Sequence, residues 1–162
     1  MFYVILTVLL FLCDQATKFA TTTALNEFES VNVIGGILSF TRYHNTGGPW
    51  SIFDGAPIFF IIITIIIFIA EFIYLKKHPL KDTMSKISVS LINAGAIGNF
   101  VDRIFRGYVV DMIEVKFIDY PVFNFADCLI VIGCILLCVY VIFIYKEDKK
   151  EDIKDGKDNA CL

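Results

Sequence analysis

Residues 58–70 read IFFIIITIIIFIA, thirteen residues interrupted only by Thr64. A water-soluble core has no place for such a run, and it is too long for an ordinary strand. It belongs to a longer apolar stretch, from about Pro57 to Leu75, and three other stretches resemble it in length: about Met1 to Ala20, Met84 to Ile104 and Phe123 to Tyr145. A helix crosses the roughly 30 Å hydrocarbon layer in about 20 residues. Lipid offers no partner to an unpaired peptide group, so isolated spans must be helical. The chain is 57% hydrophobic, and that excess sits in these stretches. The expectation is an all-α polytopic membrane protein with four transmembrane helices in residues 1–145.

Lys76, Lys77, Lys81 and Lys86 follow the second stretch, and Lys146, Lys149, Lys150, Lys154 and Lys157 follow the fourth. Basic connections stay in the cytoplasm. Both termini are therefore expected inside, with Thr21–Ala56 and Arg106–Val122 outside. ILSFTRYH alternates like a strand after Gly35-Gly36, so a small extracytoplasmic β element is expected within about 24–56. Residues 146–162 read as a solvated, disordered cytoplasmic tail. Clustered charge of both signs gives no basic patch for nucleic acid.

Two processing signals are set aside. VLLFLC ends in Cys13 like a lipobox, but Phe11 and Leu12 are large, where a cleavage site needs small residues. Cys161 is too near the end for prenylation. None of Cys13, Cys128, Cys134, Cys138 and Cys161 forms a metal-spaced pair, and buried free thiols are expected.

Ionisable groups in a span are costly and point to partners, cavities or function. Asp14 and Lys18 share a helix face near the outer end of the first span. Asn99, Asp102 and Arg103 form a stripe near the outer end of the third. Asn124 and Asp127 open the fourth, Asp111 lies just before it, and Asn45 and Gly47 lie in the first outer segment. All therefore collect at one depth. Asp14 with Lys18 fits a structural ion pair as well as a site. A hydrogen-bonding stripe is the simpler reading of Asn99, Asp102 and Arg103. Asp111 and Asp127 favour chemistry. His44 reads as a surface residue, and Glu71 as snorkelling toward water.

No phosphate-binding glycine loop, HExxH zinc helix or GxSxG elbow is present. Two carboxyls sharing a site cannot both ionise easily, so one takes a proton from water while the other donates to a carbonyl oxygen. Peptide hydrolysis is one reading. A transporter or proton channel would use similar charges, but near the midplane and often with inverted repeats. A non-enzymatic assembly subunit would not need two carboxylates flanking one short loop.

Five stretches resemble the lipoprotein signal peptidase (signal peptidase II) family. Asp14-Gln15-Ala16-Thr17-Lys18 is similar to its DQxTK element, and Asn45-Thr46-Gly47 to its NTG element. Residues 94–103, AGAIGNFVDR, resemble GGxxGNxxDR, residues 109–113, VVDMI, resemble VVDFI, and residues 123–127, FNFAD, resemble FNxAD. The resemblance covers nearly the whole chain outside the charged tail. The resemblance implies a four-helix bundle with an outer β cradle and a catalytic pair, Asp111 and Asp127. It implies supporting roles for Asp14, Lys18, Asn45, Gly47, Asn99, Asp102, Arg103 and Asn124. It implies a diacylglyceryl-modified prolipoprotein substrate cut just before the modified cysteine, no metal or organic cofactor, and inhibition by the cyclic peptide globomycin. Ala94, Met112 and the Gly48-Pro49-Trp50 run depart from the family pattern. Pro49 and Trp50 are expected to cover the cleft, with Trp50 as a lid.

Overall fold

The computed structural model describes residues 2–144. The chain runs α1 (Phe2–Ala24), β1 (Ser30–Ile34), β2 (Leu38–Asn45), a 3-10 turn (Pro49–Ser51), α2 (Pro57–Lys77), α3 (Thr83–Arg106), β3 (Val109–Val115) and α4 (Phe125–Val139). α4 continues into a π-helical turn, Tyr140–Ile144. The tail expected to be disordered, and Cys161 with it, lies outside the described residues.

Three helices are long and apolar enough to cross a membrane: α1, α2 and the segment Phe125–Ile144. α3 has the length, but its serines, glycines and Asn99 lower its hydropathy. Those residues form its packing face, where Ser85, Ser88, Gly95, Gly98, Asn99 and Asp102 are buried. α2 is the opposite case. Up to Ala70 only Thr64 interrupts its apolar surface, and it buries no residue, as suits a helix solvated by lipid.

Local chemistry sets the helix ends. Pro57 occupies the first turn of α2, where a missing N–H costs nothing. Asp82 caps α3 by accepting from the Ser85 amide at 2.9 Å. Gly107 ends it in the left-handed region, φ 80°.

Small residues bring α3 and α4 together. A Cβ on Gly95 would strike the Ala126 carbonyl and the Ile130 side chain, and one on Gly133 would lie 2.8 Å from the Ser88 carbonyl oxygen. In lipid such close approach replaces the hydrophobic effect as the source of helix association.

The sheet order is β1-β2-β3, antiparallel throughout. The β element is therefore wider than the expected 24–56: the stretch holding Asp111 is itself a strand. Val109–Val115 joins because β2 offers it a free edge, with Asn45 opposite Val109 and Phe40 opposite Ile113. Between Phe40 and Tyr43 the register shifts, two steps on β3 matching three on β2. That bulge turns Tyr43 and Asn45 onto the face of Asp111, which regular alternation would have denied them.

The thiols depart from expectation. Cys13, Cys134 and Cys138 are free but exposed, and Cys128 is half-buried. They lie on helix faces turned away from the small-residue seams, where sulfur is compatible with lipid. Glu71 does not simply reach for water either. Its carboxylate accepts from Asn93 Nδ2 at 2.8 Å, joining α2 to α3.

Gly95→Leu should force α3 from α4 and cost about 1–3 kcal/mol. Thermal unfolding in detergent reads this as a lowered Tm, and an unchanged Tm would show that the seam tolerates separation.

Candidate active site

Lys18 is fully buried, and so is Asp14 one turn earlier on α1. An ammonium removed from water needs compensating anions and acceptors. Its Nζ lies 2.9 Å from Asp14 Oδ2 and 2.9 Å from Asp102 Oδ2, and it donates to Asn99 Oδ1 at 2.9 Å. Arg106 closes on the other Asp102 oxygen. Asp14 Oδ1 accepts from the Ala126 amide at 3.0 Å, so the first turn of α4 is fixed to the same cluster. Gln15 adds donors to Asp14, the Gly98 carbonyl and Asp102.

Asn99 carries this order outward. While its oxygen accepts from Lys18, its Nδ2 donates to Asp127 Oδ1 at 2.8 Å. Asn124 is the N-cap of α4, accepting from the Asp127 amide at 3.0 Å and donating its own amide to Asp127 Oδ2 at 3.0 Å. This reciprocal capping box holds Asp127. Asn124 Nδ2 donates to Asp111 Oδ1 at 2.6 Å, and Asn45 Nδ2 donates to Asp111 Oδ2 at 2.9 Å. Asp111 is 1% exposed, and Asp127 is half-buried. Burial first, and then the neighbouring Asp127 charge, push the Asp111 carboxyl up to about 7, against the Asn45 and Asn124 hydrogen bonds and Lys18.

Both carboxyls line one cavity of about 250 Å³, with Asn45, Asn99, Arg103 and Asn124 around them and Ile130 and Val131 on its α4 side. Arg103 donates to the Gly47 carbonyl at 3.0 Å and lies over the Phe60 ring at 4.7 Å. It thereby holds the loop after β2 against α2 and α3. Gly47 is required there, because a Cβ would lie 2.8 Å from the Ile52 carbonyl oxygen. Its amide donates to Asn45 Oδ1 at 2.9 Å, orienting that side chain toward Asp111.

The structure brings together Asp111, Asp127, Asn45, Asn99, Arg103 and Asn124. It places Asp14, Lys18 and Asp102 beneath them as a buried charge cluster. Trp50 stands apart: Gly48 and Pro49 line the carboxyl cavity, whereas Trp50 lines a neighbouring one. His44 is less exposed than a surface residue. It stacks on Tyr108 at 3.9 Å, pairs with Glu27 at 2.8 Å and accepts from Arg42 Nε. Burial lowers its pKa despite Glu27, and Arg42 adds to that. Sequence reading did not single out Arg106 or the loop residues Tyr120 and Pro121. Arg106 had a signal, its i+4 spacing from Asp102, whereas the loop had none.

The family model described as Signal peptidase (SPase) II matches residues 6–143. The chain belongs to the signal peptidase II family. Proteins named lipoprotein signal peptidase resemble it closely. The one from Enterococcus faecalis is 38% identical, covering 95% of this chain and 94% of its own. That from Lactobacillus johnsonii is 36% identical over 90% of this chain and 95% of its own. Two solved structures, each described as a bacterial membrane enzyme, superpose with TM-scores of 0.80 and 0.78. Their identities are 37% and 36%, and they cover 86% and 88% of this chain and 87% and 93% of their own. As a signal peptidase II, this chain is a membrane-embedded peptidase of lipoprotein maturation.

Lys18→Met should leave Asp14 and Asp102 buried without their shared cation and cost about 3–5 kcal/mol. Adding Asp14→Asn should recover part of that loss in the same thermal measurement. A Lys18→Met protein as stable as the parent would remove the cluster from the account of folding.

Proposed function

We propose that this protein is an aspartic endopeptidase that removes signal peptides from diacylglyceryl-modified prolipoproteins, cutting just before the lipidated cysteine, with Asp111 and Asp127 as the catalytic pair. The observation that carries this reading is the shared cavity. Two carboxyls line it, each fixed by amide donors to both oxygens, at the end of the bundle where α4 begins.

The two carboxyls take different roles in this reading. Asp111, buried and raised toward neutrality, carries the proton and donates it to the scissile carbonyl oxygen. Asp127, more open to water, takes a proton from the attacking water. The tetrahedral intermediate collapses as Asp127 passes the proton it took from water to the cysteine nitrogen, the carbon–nitrogen bond breaks, and a hydroxyl proton of the new carboxyl group returns to Asp111. Arg103 holds the Gly47 loop at the rim, and the asparagines keep the two carboxyls in register. All four long helices span the bilayer, α3 included, because its polar face is turned inward. Residues 1–145 form one protease domain, both ends face the cytoplasm, and the site opens at the outer surface. Globomycin inhibits by occupying the same cavity.

Purified protein should cleave a diacylglyceryl prolipopeptide in detergent, and Asp111→Asn or Asp127→Asn should abolish cleavage in protein that still folds, with stability lowered by about 1–3 kcal/mol for the hydrogen-bond acceptor lost. Full activity in either folded variant would break the pair assignment. Since the acid form of Asp111 is required, kcat/KM should fall as pH rises through about 7. The Asn45 hydrogen bond favours the ionised form, so Asn45→Ala should raise the Asp111 pKa and move that limb to higher pH. A limb that stays put or moves down would take the proton away from Asp111.

A further inference from the structure

A second cavity, of about 270 Å³, adjoins the carboxyl cavity and shares Asn45, Gly48 and residues 120–122 with it; Tyr43, Trp50 and Asp119 are its own. The two differ in what builds them. The first has walls from α3 and α4, including Ile130 and Val131. The second takes none from a helix: Tyr43 and Asn45 come from β2, Gly48 and Trp50 from the loop after it, and residues 119–122 from the loop before α4. Its charged lining residue is Asp119, an exposed side chain among those described.

We propose that this second cavity binds the polar residues that follow the lipidated cysteine, a specificity subsite resting on the peptidase reading above. A substrate cut at the cysteine has two apolar parts, the signal peptide's hydrophobic segment and the acyl chains. Both remain in the bilayer. The chain after the cysteine must leave the site toward water, and the cavity built outside the long helices shares a wall with the site through Asn45, Gly48 and residues 120–122.

The aromatic wall is built for a peptide. Trp50 meets Tyr120 edge to face at 5.8 Å, and Tyr120 meets Phe123 in the same manner at 5.7 Å. Phe123 lines the first cavity, so one row of rings runs from one chamber to the other. Trp50 is 64% exposed and holds φ 52°, ψ 32°, a conformation costly for a bulky residue and commonly retained at ligand sites. Asp119 supplies a charge preference: lysine or arginine shortly after the cysteine is favoured, and aspartate or glutamate disfavoured. An exposed pair contributes little, so that preference should be on the order of threefold.

The test uses diacylglyceryl prolipopeptides ending at the cysteine amide, or continuing for four residues that contain either lysine or aspartate. Within each enzyme, the ratio of kcat/KM between substrates is the readout, so overall changes in activity cancel. The parent should cleave the lysine-extended substrate several-fold better than the truncated one, and about threefold better than the aspartate-extended one. Trp50→Ala should erase the gain from extension, and Asp119→Lys should reverse the charge preference. Equal cleavage of all lengths by the parent overturns the subsite and leaves the peptidase reading intact. An unreversed preference in Asp119→Lys removes Asp119 from it. Failure of the parent to cleave any of them overturns both readings.

Discussion

The ammonium of Lys18, buried among Asp14, Asp102 and Asn99, is the interaction on which the rest of the structure depends. Charge in a bilayer interior is tolerated only when its partners are fixed. Fixing them locks α1 to α3, and through the Asp14–Ala126 bond it locks the start of α4 as well. Asn99 converts that immobility into orientation, because the amide that accepts from Lys18 also donates to Asp127. Two hydrogen bonds therefore separate a purely structural charge from a proposed catalytic one. The same economy appears at Asn124, which caps a helix and touches both carboxyl residues.

Much of this was legible in the sequence for a physical reason. Apolar runs as long as a bilayer is thick admit few alternatives, and polar residues inside them stand out against the background. The i+4 spacing of Asp14 and Lys18 and the stripe from Asn99 to Arg103 are helix geometry written directly in sequence. Sequence could not show that both sets meet in one cluster, since that depends on how α1 and α3 are rotated against each other. Nor could it separate the ion-pair reading of Asp14 and Lys18 from the site reading. In the structure they lie beneath the carboxyls, supporting them at one remove.

The sheet was only half legible. The alternation of ILSFTRYH marks β2, but VVDMIEV reads as a short apolar connection until a partner edge is known. The bulge between Phe40 and Tyr43 had no local signal, and it decides which face Asn45 occupies. Trp50 shows the limit of reading a loop by position. It lies two residues beyond Gly48, close in sequence to the cavity rim, but its left-handed backbone sends the ring to the neighbouring chamber.

The buried cluster also bears on how the chain enters the membrane. α1 is made first, well before α3 supplies Asp102 and Asn99. Because Asp14 and Lys18 stand one turn apart on the same helix, each cancels the other's charge while α1 is still alone in lipid. When α3 arrives, Asp102 brings a negative charge and Arg106, one turn later, brings the positive charge that balances it. α1 and α3 thus each bring an Asp already paired one turn away with a cation, and the two pairs merge in the cluster.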